Sequence, residues 1–433
     1  METLIILGGA LLFFVLLMLS IALHELGHLS FAKLFGVRTT QYMVGFGPTL
    51  WSRHKGETEY GLKWIPLGGY IRMIGMLPPR KGDPEGHIRR SSTGRFQGLV
   101  DAAREGALEE VRPGDEDRVF YAKKWWQKLI IMFAGPAMNL MLAVIFFAIL
   151  IMGIGLVKTQ PIVSSVSKCT IPSTQVDQQC KGGEPLTPAA AVGLKPGDRF
   201  LTYDGTKIDS YTQLQKLIRG SAGRAVPIVV RRDGKNLPLT VNVTQNQLPS
   251  LDKPDTIVTV GFLGITPLQA RERGGPGLVV TAMGDMTSRT VDSLLHMPQK
   301  MVGVFQAAFG HKKRDPNGPI GVVGASRIGG EILASKSPVV EKFATFLMLL
   351  AGINFAVGMF NLIPLLPLDG GHMAGALWEG LKRSIARLIR RPDPGYVDVA
   401  KALPLTYLMA AVFMVMGALL IYADVFNPIH FAG

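Results

Sequence analysis

Charge is scarce in this chain: only 18% of its 433 residues are Asp, Glu, Lys or Arg, while 48% are hydrophobic. That balance excludes an ordinary soluble protein of this size. Cysteine is almost absent. Cys169 and Cys180 are the only two, and no CxxC spacing exists to build a thiolate metal site. The N-terminus begins Met1-Glu2 without a basic stretch, and no small-residue cleavage site follows the first apolar run. A cleaved signal peptide is therefore not expected, and the run is read as a retained span. The net charge is +14, yet no RNA- or DNA-binding motif accompanies it, so no nucleic-acid partner is expected.

What is present is long apolar runs. Residues 3–23 carry no charge, and about 129–157, 343–365 and 402–423 complete a set of four spans, each near the ~20 residues a helix needs to cross a bilayer. The second holds Asn139 and the third Asn354, polar groups expected to face a helix bundle rather than lipid. Residues 32–127 carry 16 Lys and Arg, and the stretch 378–401 carries 6. The positive-inside rule places both in the cytoplasm, against anionic headgroups, and both chain ends outside. The expected fold class is an α-helical polytopic membrane protein with four transmembrane helices. Its expected parts are a first span over 1–31, a cytoplasmic loop over 32–127, a second span over 128–158, outer regions over 159–248 and 249–342, a third span over 343–377, a basic cytoplasmic loop over 378–401, and a fourth span over 402–433.

The chemistry sits where spans meet polar sequence. His24-Glu25-Leu26-Gly27-His28 follows directly on the first run. On a helix His24 and His28 share one face and offer two imidazole nitrogens to one Zn²⁺, with Glu25 beside them as general base. Two imidazoles and a carboxylate are expensive at membrane depth unless they act together. Far downstream, Asn361-Leu-Ile-Pro364-Leu-Leu-Pro367-Leu-Asp369-Gly370-Gly371-His372 breaks a helix after another apolar stretch. Irregular backbone at that depth survives only inside protein or beside water, which puts Asp369 where a third ligand belongs. Two neutral imidazoles, one carboxylate, Zn²⁺ and an ionised Glu25 sum to near zero, the balance a low-dielectric site tolerates. Three protein ligands leave a fourth position open, the mark of catalytic zinc. His372 is close to Asp369, and an ordinary polar helix start explains it equally well.

Other segments have plainer readings. Alternation around Thr58–Ile65 predicts a β-hairpin within 43–75. Residues 78–118 read as a polar insertion with one short helix near 96–110. Ten residues separate Cys169 from Cys180 in a loop-like stretch on the outer side, where a disulfide is expected; two free thiols are the alternative. Residues 284–310 show helical spacing, and the role of 318–330 (GPIGVVGASRIGG) is not derivable from the residues.

HELGH in the first span, FAGPAMN at 133–139 in the second and NLIPLLPLDGG in the third resemble, in that order, the site-2 protease family of intramembrane zinc metalloproteases. The resemblance covers nearly the whole chain and is nearest to RseP-type enzymes with a single PDZ domain from high-GC Gram-positive bacteria. One departure is that Pro367 stands one residue later than the family's second proline. The resemblance implies zinc ligation by His24, His28 and Asp369, catalysis by Glu25, and contact of Asn361 with substrate backbone. It also implies that the hairpin lies at the membrane beside the zinc and that residues 159–248 form an extracytoplasmic PDZ domain, whose groove takes a peptide or gates entry. The substrates it implies are single-span membrane proteins of the bacterial cell membrane, anti-sigma factors among them, cut after a first protease trims them outside. Two other classes fit parts of the chain: a non-catalytic PDZ membrane scaffold, and a transporter built on broken helices. The first needs no HExxH and Asp pair, and the second would show paired interrupted helices where one is found.

Overall fold

The first apolar run does not stop where its uncharged residues do. Helix α1 (Glu2–Leu34, 33 residues) carries it through the HELGH segment and onward, so His24 lies within a helix roughly 50 Å long at ~1.5 Å per residue. This is seen in a computed structural model that describes residues 2–79, 97–171, 180, 183–251, 256–310, 314–316 and 318–431. After α1, strands β1 (Thr39–Lys55) and β2 (Thr58–Met73) form a sheet of their own. Thr49–Lys55 pair with Thr58–Lys63, while Gln41–Val44 lie between Glu59–Leu62 on one side and Gly69–Arg72 on the other. The hairpin expected within 43–75 is thus present as part of a longer, bulged element. Helix α2 (Gln97–Glu109) falls where the short helix of the polar insertion is expected; residues 80–96 of that insertion lie outside the described residues. Helix α3 (Trp125–Ala148) runs into a π-helical turn at Ile149–Ile154.

The chain then divides into two compact units, one made of 1–153 with 275–433 and the other of Ile154–Gly274. In the second unit β3 (Leu156–Val166), helix α4 (Pro188–Ala191), β4 (Arg199–Tyr203), β5 (Thr206–Lys207), α5 (Tyr211–Gly220), β6 (Ala225–Arg232), β7 (Lys235–Asn242), β8 (Thr244–Pro249), β9 (Ile257–Phe262) and β10 (Ile265–Glu272) follow in order. The main sheet runs β10-β3-β4-β6-β7, β5 pairs with β4, and β8 pairs with β9. Strands β6 and β7 join at Asp233-Gly234, both at positive φ, a two-residue hairpin turn. Ser210 caps α5 by accepting the Gln213 amide. Phe200, Leu214, Val226, Val230 and Val241 are fully buried between sheet and helix. The expected boundary at 248 falls short. Strand β10 returns to pair with β3, and a pairing so distant in sequence leaves no local signal. Cys169 and Cys180 are bonded sulfur to sulfur, with Cα atoms 6.0 Å apart.

The first unit resumes with α6 (Pro276–Leu295), α7 (Met297–Phe309), α8 (Val322–Ala334), α9 (Val339–Asn361), α10 (Asp369–Leu388) and α11 (Leu403–Phe426). Among the described residues, four helical stretches are long and apolar enough to cross a membrane: Glu2–Leu34, Trp125–Ile154, Val339–Asn361 and Val399–Phe426. Leu4, Leu11, Met414 and Val415 stay exposed on α1 and α11, as expected for helices solvated by lipid rather than water. Together they describe a multi-pass membrane protein. The third span ends at Asn361 rather than continuing to 377, because Pro364 and Pro367 break it and α10 begins afresh at Asp369.

Inside, α1 packs on α3 and α8, and α3 packs on α9 and α10. The GASRIGG stretch supplies the face of α8 that meets α1. A Cβ on Gly330 would stand 2.2 Å from the Ile6 carbonyl, so only glycine permits that approach. Fully buried Phe13 meets Phe346 edge-on at 5.2 Å. The α8 N-terminus is closed from α11: Asp424 Oδ2 accepts the Gly321 and Gly324 amides at 2.9 and 2.8 Å, and its Oδ1 meets Arg314 at 2.7 Å. A carboxylate there opposes the positive end of the helix dipole.

Candidate metal centre

His24 and His28 lie one turn apart on α1, both buried, with their Nε2 atoms 3.3 Å apart. The first turn of α10 brings Asp369 Oδ2 to 3.3 Å from His24 Nε2 and 3.4 Å from His28 Nε2. The three atoms form a near-equilateral triangle. Two ligand atoms held ~2.0–2.1 Å from a tetrahedral zinc are roughly 3.3–3.4 Å apart, so the triangle has the size that zinc requires.

The protons agree. His24 Nδ1 is 2.5 Å from Asn139 Oδ1, and His28 Nδ1 is 2.7 Å from the Ile131 carbonyl. Both partners are acceptors, so each imidazole carries a hydrogen on Nδ1, and in its neutral form turns an Nε2 lone pair inward. Two lone pairs and a carboxylate oxygen converging at this distance repel one another unless a cation lies among them. The donor set of two imidazoles and a carboxylate suits Zn²⁺. Among the described residues these three are the only such group of potential metal ligands.

The outer partners are themselves fixed. Asn139 Nδ2 donates to Asn354 Oδ1 at 3.2 Å, and Asn354 Nδ2 donates to Ser20 Oγ at 3.2 Å and to the Leu350 carbonyl at 2.9 Å. Helices α1, α3 and α9 are thus tied by one buried chain of hydrogen bonds that ends on His24. The sequence marked both asparagines as facing the bundle without assigning them to the site. FAGPAMN acquires a second role through Gly135. A Cβ there would lie 2.2 Å from His28 Nε2, so glycine is what lets α3 pass over the imidazole.

Glu25 stands next to the triangle, half-buried, lining the same space as Gly69, Tyr70 and Ile71 of β2. A cavity of about 480 Å³ opens onto these groups, with Gly69, Tyr70 and Ile71 of β2 on one wall and Asn361 and His372 on another. The structure therefore gathers His24, Glu25, His28, Asn361 and Asp369 around one space. Among the other histidines, His296 bonds the Asp292 carbonyl and His430 bonds Glu331; His87 and His311 lie outside the described residues. A buried triangle of potential metal ligands with a carboxylate beside it and an open approach has the parts that metal-assisted hydrolysis requires.

Comparison with known proteins points the same way. Residues 12–390 match peptidase family M50. The chain is 33% identical over 439 residues to the zinc metalloprotease Rip1 of Mycobacterium tuberculosis, covering 98% of each chain. It is 32% identical over 440 residues to zinc metalloprotease Rip1 of Mycolicibacterium smegmatis, covering 97% of this chain and 98% of that one. Metalloprotease MmpA of Caulobacter vibrioides is 28% identical over 380 residues, 84% of each chain. The chain belongs to peptidase family M50, the site-2 proteases, and is a zinc metalloprotease.

Proposed function

We propose that this protease cuts single-span membrane proteins within or beside their spans, with His24, His28 and Asp369 as zinc ligands. The observation that carries the reading is the ligand triangle, buried among candidate spans and open to a cavity walled by β2. When bound, zinc supplies a Lewis acid that acidifies water and polarises a peptide carbonyl. Glu25 takes the proton of the attacking water and passes it to the leaving amine. Asn361, at the end of α9, holds substrate backbone across the cavity. A spanning helix hides its peptide groups in its own hydrogen bonds, so a substrate must be drawn out before it is cut. The Gly69–Arg72 row of β2, paired on one side with Gln41–Val44, fits a role in holding it by strand addition.

The unit Ile154–Gly274 carries the further parts of the proposal. Its strand-and-helix succession supports a PDZ domain, closed at one loop by Cys169–Cys180, that favours substrates already trimmed outside. Anti-sigma factors are the proposed substrate class, the bacterial cell membrane the site, and both termini are placed outside. The test is co-expression of a single-span substrate lacking its outer domain with wild type or Glu25→Gln. A cytoplasmic fragment with wild type alone supports the reading; equal cleavage by both removes Glu25 from the chemistry.

A further inference from the structure

A second and larger cavity, about 1,200 Å³, shares no lining residue with the metal site. Helix α2, the end of α10 and the segment leading into α11 enclose it. Four cationic side chains line it, Arg104, Lys382, Arg383 and Lys401, against two carboxylates, Asp393 and Asp398. Two positive charges are left uncancelled among the described residues.

The pairing is uneven. Arg104 has a side chain only 2% exposed. Its Nη2 binds both oxygens of Asp398, at 2.5 and 2.6 Å, and its Nε and Nη1, without a hydrogen-bond partner among the described residues, are shut off from the cavity. Arg104 is thus committed to Asp398, and the lysines are the cations left facing the cavity. Arg383 is engaged by Glu379 at 3.1 Å and Asp393 at 3.6 Å. Lys382 and Lys401 take part in no ion pair among the described residues; Lys382 lies only over the Trp378 ring, at 6.0 Å.

We infer that this cavity binds a phosphate-bearing anion, with the ammonium groups of Lys382 and Lys401 as its donors. Lysines present mobile point charges to phosphate oxygens. Pro404, in the first turn of α11, borders the cavity. The end of a candidate span is where lipid headgroups lie, and basic pockets between such helices hold headgroup phosphates. A soluble phosphate compound would meet the same donors.

The test uses the purified full chain in neutral detergent, with native mass spectrometry counting bound phosphatidylglycerol against phosphatidylcholine, and inorganic phosphate added as competitor. Lys382→Ala with Lys401→Ala should weaken phosphatidylglycerol binding about thirtyfold, from roughly fivefold per lysine near an anionic group. Arg387→Ala with Arg391→Ala removes the same charge from exposed positions in the same stretch and should leave binding within about threefold. Displacement by inorganic phosphate supports the site with a soluble ligand, and resistance to displacement supports it with a headgroup. Unchanged binding in the lysine pair, or equal loss in the arginine pair, overturns it.

Discussion

His24 and Asn139, 115 positions apart in sequence, meet through a 2.5 Å hydrogen bond from imidazole Nδ1 to amide Oδ1. That contact fixes which nitrogen of His24 faces His28 and Asp369. It also makes the second span part of the proposed zinc site although it supplies none of the three proposed ligands.

Removing the acceptor should therefore act on the metal. Asn139→Ala is expected to weaken zinc binding by about 10–100-fold, the usual range for outer partners of ligand histidines. Chelator competition on the purified protein measures it. Asn354→Ala, one hydrogen bond further out, should weaken it less.

Gly135→Ala should abolish zinc retention, because the new methyl would occupy the space of His28 Nε2 at 2.2 Å. Gly153→Ala, later in the same span with nothing within 4 Å of its added methyl, is the control and should retain zinc and activity.

Lys128 and Glu379 form a buried pair at 2.8 Å, with side chains 7% and 3% exposed. Glu379→Ala strands the ammonium and should destabilise the helical unit by about 3–5 kcal/mol. A second change, Lys128→Met, should recover much of that loss. Thermal unfolding in detergent compares the three proteins.

Asp198 predicts a pH dependence in the unit Ile154–Gly274. Burial pushes its carboxyl upward, but the Arg232 guanidinium at 2.7 and 2.6 Å and the Lys195 amide outweigh it and hold it below the ordinary range. With the folded value depressed, the contribution to stability is present above the unfolded value of about 3.9 and is lost as pH falls through the folded one. Acidification below about pH 4 should raise the intrinsic-rate-corrected hydrogen exchange of Phe200–Tyr203 amides. Asp198→Asn should exchange faster at neutral pH and respond less to acid.

Legibility in the sequence followed the range of each interaction. His24 and His28 declared themselves by a four-residue spacing on one helix, and Asp369 by prolines and glycines interrupting an apolar run. The four spans were likewise visible as composition. Asn139 and Gly135 were not legible as site residues, since their part depends on where α3 crosses α1. The hairpin within 43–75 was legible from the alternation around Thr58–Ile65; its bulged pairing over Thr39–Val44 and Gly69–Met73 is irregular and shows no clean period. Strand β10 escaped for a related reason, its partner β3 lying about a hundred residues earlier.

The most direct test of the account is the zinc content of purified wild type, Glu25→Gln and Asp369→Ala proteins, measured by mass spectrometry of the metal alongside cleavage of a trimmed single-span substrate. The account predicts one zinc per chain in wild type and in Glu25→Gln, loss of zinc in Asp369→Ala, and cleavage by wild type alone. Full zinc and full cleavage in Asp369→Ala would contradict it.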